Sequence, residues 1–466
     1  MEKITDDESF ESFAQMMRQA DLPEIAIRNF ANHYQQLVQG STGFIAEADI
    51  EPIDQVPDAD KLDQRYLSRG EAALEKTVLI KLNGGLGTSM GLERAKSLIR
   101  VREDMSFLDI IARHASHSRV ALVLMNSFNT REDSLAALQV HGSLSKPGLA
   151  PDFLQHKVPK VRQDNLAPAL NEQDPQLEWC PPGHGDIYIA MQTSGMLQQL
   201  IDSGIRYALI SNSDNLGATL DASLLGYLVE EQIPFLMEVT NRSEADKKGG
   251  HLARRPDGRL ILRESAQCPQ NDKNSFEDID RHRYFNTNNL WIDLQALQSL
   301  LKQNDNVIDL PLIRNGKTLD PRNSDSTAVY QLESAMGSAI QVFDQARAIR
   351  VSRKRFAPVK TTSDLLLVRS DVYEMKENYT LVSQLPYTAM PLVELDSAFY
   401  KLIDQFEQRF AGGAPSLIKC QRLQVRGDVI FGSGVSIQGN ITLENRRDEA
   451  VTIADGSRIN EDLSWD

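Results

Sequence analysis

The segment KTVLIKLNGGLGTSMG, residues 76–91, joins a short apolar run to a cluster of four glycines. The apolar run, rich in aliphatic and β-branched residues, is typical of a buried strand. Glycines placed directly after a strand let the backbone approach a ligand closely and direct successive amide groups into one cavity. The segment therefore predicts a strand that ends in a loop cradling a phosphate or a base.

This loop fits neither of two common nucleotide-binding motifs. No Gly-Lys-Ser/Thr follows at the spacing of a Walker A loop. The third glycine of the dinucleotide fingerprint would fall at Met90 instead of Gly91. The alternative, a plain tight turn, needs one or two glycines and leaves the remainder of the cluster unexplained.

Three further apolar runs follow the first, at residues 120–125, 207–210 and 235–239. Helix-like segments lie between them, including residues 131–138. This alternation predicts an α/β domain with a mainly parallel sheet. In such sheets the ligand lies beyond the C-terminal ends of the strands, which is where the polar motifs of this chain fall.

The two ends of the chain differ from its centre. Residues 1–75 carry apolar side chains at helical spacing and predict an N-terminal helical segment. From Leu423 onward, short apolar stretches punctuated by glycines predict a β-solenoid, with a β-sandwich fragment as the alternative. We therefore divide the chain into segment 1–75, a central domain 76–375 and a C-terminal domain 376–466.

Composition narrows the class of protein. A formal net charge of -15 argues against a general nucleic-acid binder, because phosphate backbones need a positive surface. No stretch approaches the roughly 20 apolar residues that cross a bilayer, and the acidic N-terminus is unlike a secretory signal. Three irregularly spaced cysteines fit neither a disulfide framework nor a zinc site. We expect a soluble, cytoplasmic protein that contacts neither nucleic acid nor membrane.

Two polar motifs offer groups for phosphate chemistry. Asp214, in SNSDNLG, follows a predicted strand and suits Mg²⁺, which takes one or two protein carboxylates together with phosphate oxygens and water. The alternative is an Asx-rich turn. His184 stands between two glycines in PPGHGD, where it would be held exposed as a hydrogen-bond donor or acceptor. The alternative there is a surface histidine without a function.

Amide and ammonium groups complete the candidate set. The stretch FNTNNLW contains Asn286 and Asn288, whose amides suit sugar hydroxyls, although Asn-rich turns are also common without function. Lys96 and Lys360 are the best-placed cations for neutralising phosphates in an acidic protein. A solvated surface lysine is the alternative for either of them.

Together these segments resemble the UTP–glucose-1-phosphate uridylyltransferases, also called UDP-glucose pyrophosphorylases, of the type familiar from eukaryotes. Eight matching stretches run in the family's order across about residues 75–370. They read KLNGGLGTSMG, LMNSFNT, WCPPGHGDIY, SNSDNLGAT, EVTNRSEADKKGG, FNTNNLW, KTLD and PVKTTSDLLLV.

The resemblance implies a Rossmann-like nucleotide-diphosphosugar-transferase domain between an N-terminal helical segment and a C-terminal left-handed β-helix. It implies that glucose 1-phosphate attacks the α-phosphorus of UTP directly and in line, with Mg²⁺ as cofactor and no covalent enzyme intermediate. UTP would bind first. A homo-oligomer built through the C-terminal region is also expected.

The resemblance also assigns roles by position. The nucleotide-binding set is Leu82, Asn83, Gly84, Gly85, Lys96, Gln155, Gly183, Asn212 and Asp214. The set for the sugar phosphate is His184, Asn286, Asn288 and Lys360. Within these sets Gln155 reads the uracil edge, Lys96, Lys360 and Asp214 are catalytic, and Asp214 is the metal ligand.

Two short stretches depart from the family pattern. Arg94-Ala95 stands where a Gly-Pro pair is usual, and His156-Lys157 stands where Ser-Arg is usual. Two other functions are weighed against the main one. They are a pyrophosphorylase for UDP-N-acetylhexosamine or for several UDP-sugars, and a non-catalytic nucleotide-sugar-binding protein.

Overall fold

The structure is a computed structural model that describes residues 8–102, 104–142, 144–386 and 389–466. Its α-helices are α1 (Glu8–Gln19), α2 (Glu24–Val38), α3 (Gln64–Glu71), α4 (Phe107–His117), α5 (Arg131–Gln139), α6 (Ile187–Thr193), α7 (Met196–Asp202), α8 (Ala222–Glu230), α9 (Lys273–Glu277), α10 (Leu294–Gln303), α11 (Thr362–Arg369), α12 (Ser397–Tyr400) and α13 (Ile403–Arg409).

The strands are β1 (Thr77–Asn83), β2 (Arg100–Arg102), β3 (Met105–Ser106), β4 (Ala121–Asn126), β5 (Asp152–Leu154), β6 (Val158–Pro159), β7 (Val161–Arg162), β8 (Trp179–Cys180), β9 (Tyr207–Asn212), β10 (Phe235–Asn241), β11 (His251–Arg254), β12 (Leu260–Arg263), β13 (Tyr284–Asp293), β14 (Ile313–Thr318), β15 (Ala328–Glu333), β16 (Arg347–Arg350), β17 (Tyr373–Met375), β18 (Leu381–Ser383), β19 (Leu392–Leu395), β20 (Ser416–Arg426), β21 (Val429–Phe431), β22 (Ser436–Asn445), β23 (Val451–Ile453), β24 (Arg458–Ile459) and β25 (Leu463–Trp465). The four apolar runs of the sequence form β1, β4, β9 and β10, as predicted.

A nine-stranded sheet of mixed direction forms the centre of the molecule. Strand β1 pairs in parallel with β4 and β9, and β4 pairs in parallel with β5. Strand β13 runs antiparallel to β9, β10 and β11. The prediction of a mainly parallel sheet is therefore wrong. The hairpin β11–β12 follows β10 and returns the chain to the sheet in the opposite direction, so that β13 enters antiparallel.

Alternate residues of β1 supply the cores on the two faces of this sheet. Leu79 packs into the cluster that includes α4 and α8, whereas Val78 and Ile80 pack into the cluster that includes α6 and α7. All three are at most 1% exposed. Burying an aliphatic side chain of this size stabilises the fold by roughly 1.5–3 kcal/mol. A strand buried on both faces reads as a continuous apolar run, which is why its sequence identified it.

The N-terminal helices pack against the central domain in two places. Residues 1–7 of the predicted helical segment lie outside the described residues. Phe13 and Tyr34, on α1 and α2, have ring centroids 4.9 Å apart within an aromatic cluster. Helix α3 contacts α8 through two glycines, since a Cβ at Gly70 or at Gly226 would lie 1.7 Å from a main-chain oxygen of the facing helix. The close contact between these helices therefore depends on both glycines.

The C-terminal region is built from parallel strands without intervening helices. Leu423 of β20 lies opposite Ile441 of β22, and Leu443 of β22 lies opposite Leu463 of β25. Strand β20 thus pairs in parallel with β22, and β22 with β25. Parallel pairing of strands that follow one another along the chain is what a solenoid requires. Among the described residues, no helix has the length and apolar character needed to span a membrane.

Candidate active site

The glycine-rich loop leaves the end of β1 and is fastened at two points. The Ser127 hydroxyl donates to the Gly84 oxygen at 2.9 Å, and the Lys96 amide donates to the Gly85 oxygen at 3.0 Å. Gly87 and Gly91 have φ values of 65° and 74°, in the left-handed region that favours glycine. The cluster of glycines is thus explained in part by backbone conformation.

Gly84 and Gly85 differ in what surrounds them. A Cβ at Gly84 would lie 2.6 Å from Oε1 of Gln155, so the Gln155 carboxamide lies directly against this glycine. A Cβ at Gly85 would meet no described atom within 4 Å. The structure thus brings Gln155 to the loop and leaves open space over Gly85.

The side chain of Asn83 supports the loop from inside the protein. It is 2% exposed and donates to Asn126 Oδ1 at 2.8 Å and to Ser134 Oγ at 2.7 Å. Any contact of Asn83 with a nucleotide would therefore use its main chain. Leu82, its neighbour, lies opposite Asn212 in the β1–β9 pairing, which places both predicted residues at the same edge of the sheet.

Lys96 and Asp214 form an ion pair at this edge. Lys96 Nζ lies 2.6 Å from Asp214 Oδ2, and the two side chains are 17% and 20% exposed. The other carboxylate oxygen, Oδ1, is buried and has no hydrogen-bond partner among the described residues. A buried acceptor without a hydrogen-bond partner lowers the stability of the folded state. The free oxygen of Asp214 is therefore a strong electrostatic feature of the site.

Lys360 is brought to the same place by the main chain. The Val359 amide donates to the Asp214 main-chain oxygen at 3.1 Å, and Asn215 forms a β-bridge with Pro358. Lys360 follows directly and is exposed. Three residues that are far apart in the sequence, Lys96, Asp214 and Lys360, therefore lie on neighbouring segments.

A third lysine, Lys81 of β1, was assigned no role from the sequence. Its side chain is 1% exposed, and its ammonium donates to Ser211 Oγ at 2.7 Å and to the Ala218 oxygen at 3.1 Å. Burial lowers the Lys81 pKa to about 7. The ammonium joins β1 to β9 and to the loop containing Asp214. A lysine inside an otherwise apolar strand was the signal available in the sequence.

His184 is held by the segment that follows β15. Its Nδ1 accepts the Met336 amide at 2.9 Å, so the proton of the neutral ring is on Nε2. Burial lowers the His184 pKa to about 4 and keeps the ring neutral. The flanking glycines are needed for packing, since a Cβ at Gly183 or Gly185 would lie 2.4 Å or 2.3 Å from atoms of Ser334.

Asn286 and Asn288 form a bulge in β13. Asn286 Nδ2 donates to Asn288 Oδ1 at 2.8 Å, and the Asn288 amide donates to Asn286 Oδ1 at 3.0 Å. The β10–β13 register shifts here, and Asn288 has a φ of 57°. A Cβ at Gly337 would lie 3.1 Å from Asn286 Nδ2, so the segment that holds His184 also contacts Asn286.

Glu264 is a carboxyl group near this bulge that the sequence did not indicate. It lies against Gly250, whose oxygen accepts the Asn286 amide at 3.1 Å. Burial raises the Glu264 pKa to about 7, and the charge of Lys360 opposes this shift. Glu264 is therefore a buried carboxyl group beside the asparagine bulge whose pKa is sensitive to the charge of Lys360.

The residues at the two departures from the family pattern differ in burial and in contacts. Ala95 is 1% exposed, whereas the Arg94 side chain is 77% exposed and 4.0 Å from Asp133. His156 is paired with Asp186, with Nδ1 2.8 Å from Oδ1. The Lys157 ammonium lies 4.3 Å from the Trp179 ring centroid.

The residues present suit the expected magnesium ion. Among the described residues there is no group of three or more His, Cys, Asp or Glu side chains arranged to hold a metal. Mg²⁺ does not need such a group, since it commonly takes one or two carboxylates and fills its shell with water and substrate phosphates. The Oδ1 of Asp214, which has no hydrogen-bond partner among the described residues, is a hard oxygen donor of the kind that Mg²⁺ takes.

Comparisons with known proteins find relatives over most of the chain. The family model described as UTP--glucose-1-phosphate uridylyltransferase matches residues 27–438. UTP--glucose-1-phosphate uridylyltransferase 2 of Dictyostelium discoideum is 37% identical over 88% of this chain and 81% of its own length. The Hordeum vulgare UTP--glucose-1-phosphate uridylyltransferase is 38% identical over 84% of this chain and 83% of its own.

Solved structures extend the likeness to the fold of nearly the whole chain. A mutant UDP-glucose pyrophosphorylase from Leishmania major, in complex with UDP-glucose, has a TM-score of 0.90 and 42% identity, covering 98% of this chain and 100% of that one. The UDP-glucose phosphorylase of Trypanosoma brucei has a TM-score of 0.88 and 43% identity, covering 99% and 100%. The chain therefore belongs to the UTP–glucose-1-phosphate uridylyltransferase family.

Proposed function

We propose that this chain transfers the uridylyl group of UTP to glucose 1-phosphate, forming UDP-glucose and releasing pyrophosphate. The observation that carries the proposal is the convergence of Lys96, Asp214 and Lys360 beside the glycine-rich loop. Cations and a metal-ligating carboxylate are what phosphoryl chemistry requires. Membership of the family over most of the chain supports the same reaction.

The nucleotide would lie on the glycine-rich loop. The base would lie in the open space over Gly85, and the Gln155 carboxamide beside Gly84 presents both a donor and an acceptor. Uracil offers a matching N–H and carbonyl on one edge. This arrangement favours UTP over nucleotides whose bases present a different edge.

The reaction itself requires charge neutralisation more than proton transfer. An oxygen of glucose 1-phosphate, already anionic at neutral pH, forms a bond to the α-phosphorus of UTP. The bond from that phosphorus to the pyrophosphate oxygen breaks, and pyrophosphate leaves with the electron pair. Lys96 and Lys360 would hold the reacting phosphates and lower the energy of the transition state.

Asp214 would contribute in two ways. Its Oδ2 positions Lys96 through the 2.6 Å ion pair, and its Oδ1 would hold Mg²⁺ together with phosphate oxygens. When bound, the ion would neutralise negative charge on the triphosphate. Lys81 holds the loop that contains Asp214 through a hydrogen bond to the Ala218 oxygen.

The sugar phosphate would bind between the His184 loop and the asparagine bulge. Neutral His184 has Nε2–H left as a donor once Nδ1 accepts the Met336 amide. Asn286, Asn288 and Glu264 supply amide and carboxyl groups suited to glucose hydroxyls. These groups would distinguish glucose 1-phosphate from sugars that lack or displace a hydroxyl.

The same proposal includes the finer features of the fold and its setting. The parallel strands β1, β4, β5 and β9 support a Rossmann-like unit, and the parallel pairing of β20, β22 and β25 supports a left-handed β-helix. We propose that copies of the chain associate through this C-terminal region. The three free cysteines fit a reducing, cytoplasmic setting.

The decisive assay is pyrophosphate release with Mg²⁺ and UTP across glucose, galactose and N-acetylglucosamine 1-phosphates. Release with glucose 1-phosphate well above the others supports the proposal. Release mainly with N-acetylglucosamine 1-phosphate would overturn the sugar assignment. UTP binding without release for any sugar would point to a non-catalytic binding protein.

A further inference from the structure

His156 and Asp186 form a buried pair between the two halves of the proposed substrate site. The His156 amide donates to Asp186 Oδ2 at 2.7 Å, and Nδ1 of the ring lies 2.8 Å from Oδ1. The histidine and aspartate side chains are 9% and 4% exposed. One carboxylate therefore binds both the main chain and the ring of His156.

The ring is also engaged at its other nitrogen. Nε2 of His156 lies 3.0 Å from Thr193 Oγ1, and the Thr193 hydroxyl lies 3.0 Å from the Ile189 oxygen, which can only accept. If the hydroxyl donates to Ile189, then Nε2 must donate to the hydroxyl. Because Nδ1 faces a carboxylate, it must donate as well. These contacts are all satisfied when both ring nitrogens carry a proton.

The two residues of this pair are next to different halves of the proposed site, one for the nucleotide and one for the sugar phosphate. His156 follows Gln155, whose carboxamide lies against Gly84 in the nucleotide half. Asp186 lies two residues after His184 and donates its amide to the Gly183 oxygen at 3.3 Å. A shift of Asp186 would therefore be transmitted to Gln155 through one main-chain bond and one ring.

We infer that His156 is a positioning residue, held as an imidazolium between Asp186 and Thr193, which fixes Gln155 against Gly84 and couples the nucleotide half of the site to the His184 loop. This inference rests on the proposed function for the role of Gln155. His156 and Lys157 stand where the family usually has Ser-Arg, so a coupling through His156 is a property of this chain's own sequence.

Nearby charge favours the same protonation state. Asp186 is the charged group that faces the ring among the described residues, and it raises the His156 pKa against the opposing effect of burial. The adjacent Lys157 ammonium lies instead over the Trp179 ring, at 4.3 Å from its centroid. A raised pKa keeps the charged pair to a higher pH than an ordinary histidine would, and the pair is lost as the pH rises through that pKa.

The protonation state is tested by nitrogen NMR of the full chain with ¹⁵N-labelled histidine at about pH 6.5, the ordinary pKa of histidine. His156→Gln identifies the signals of His156 by their loss. We expect both ring nitrogens of His156 to be protonated. A neutral ring, with one unprotonated nitrogen, would overturn the imidazolium.

The positioning role is tested by calorimetric binding of UTP and of CTP. We expect His156→Gln to weaken UTP binding about tenfold, the loss of one charged hydrogen bond, and to reduce the preference for UTP over CTP. Wild-type UTP affinity should fall toward the variant's value as the pH rises, while the variant's affinity stays flat. His117→Gln, on the exposed end of α4, is the matched control and should bind as wild type does.

Two further variants separate positioning from folding. Thr193→Val keeps the size of the side chain but removes the acceptor for Nε2, and it should weaken UTP binding less than His156→Gln does. If the His156→Gln protein unfolds at lower denaturant but keeps the preference for UTP, the role of His156 in the wild type is only structural. That result would contradict the inference. Since binding and NMR require no turnover, an inactive wild type would contradict the proposed function without deciding this inference.

Discussion

Lys96 and Asp214, which are 118 positions apart in the sequence, form a 2.6 Å ion pair that leaves the second oxygen of the carboxylate without a partner among the described residues. The pair holds the ammonium of Lys96, and the main-chain amide of the same residue is bonded to the Gly85 oxygen of the glycine-rich loop. It also gives the site one carboxylate oxygen for a hard cation. Charge of both signs is thus arranged before any substrate is present, which is the condition for electrostatic catalysis.

Asp214→Asn should remove both the ion pair with Lys96 and the proposed ligand for Mg²⁺. The variant keeps the shape of the side chain but loses the charge that holds Lys96 and would hold Mg²⁺. We expect turnover to fall by about 10²–10³, with a higher magnesium concentration needed for half-maximal activity. The measurement is pyrophosphate release as a function of magnesium concentration. A variant with the wild-type magnesium dependence would remove Asp214 as the metal ligand.

Lys360→Ala should separate catalysis from stability. The side chain is exposed and no described residue forms a hydrogen bond or ion pair with its ammonium, so the free energy of unfolding should change by no more than about 0.5 kcal/mol. Turnover should fall by about 10²–10³, because a cation beside the reacting phosphates is lost. Lys419→Ala, at an exposed position of β20, is the control. Equal turnover in the two variants would contradict the role of Lys360.

Gly84→Ala and Gly85→Ala form a matched pair that tests the nucleotide half of the site. The new methyl group at Gly84 must displace the Gln155 carboxamide, whereas at Gly85 it enters open space. Both variants should weaken UTP binding by about tenfold or more, but only Gly84→Ala should lose preference for UTP over CTP. In a Gln155→Ala background the effect of Gly84→Ala on preference should disappear. Persistence of that effect would show that Gln155 does not read the base.

His184 should make the stability of the protein sensitive to acid. Its folded-state pKa of about 4 lies below the ordinary value, so the folded protein holds this ring neutral while the unfolded chain takes up a proton. The contribution is present above about pH 6.5 and is lost as the pH falls toward the folded pKa, with a slope of at most about 1.4 kcal/mol per pH unit.

Urea unfolding of wild type and His184→Asn checks this dependence. Asparagine retains an acceptor for the Met336 amide but does not titrate. We expect the variant to lose less stability than wild type between about pH 7 and pH 5. His117→Asn should behave as wild type. Parallel loss in wild type and His184→Asn would show that His184 does not carry the effect.

Sequence patterns predicted the strands and the candidate residues better than the contacts between them. The apolar runs identified β1 and β4 because both strands are buried on two faces. The antiparallel entry of β13 was missed, since the direction of a strand depends on the connection that precedes it. A continuous apolar run reads the same in either direction.

The prediction of residue roles from the sequence was limited in the same way. The family resemblance assigns Asn83 and Gly183 to nucleotide binding, and that assignment stays a prediction. The sequence could not show that the Asn83 side chain is bonded inside the protein or that Gly183 lies against Ser334. Glu264 was missed, because its neighbours in space come from distant segments and no motif surrounds it. Local spacing cannot reveal such contacts, which are formed only when the sheet brings loop ends together.

The most direct test of the account is the stereochemical course at the α-phosphorus. UTP carrying a single sulfur at that phosphorus, in one chirality, is incubated with glucose 1-phosphate and Mg²⁺, and the configuration of the thio-UDP-glucose is determined by phosphorus NMR. Direct in-line attack, with Lys96 and Lys360 holding both phosphates, predicts inversion. Retention would mean two successive displacements through a covalent uridylyl-enzyme intermediate, and would contradict the account.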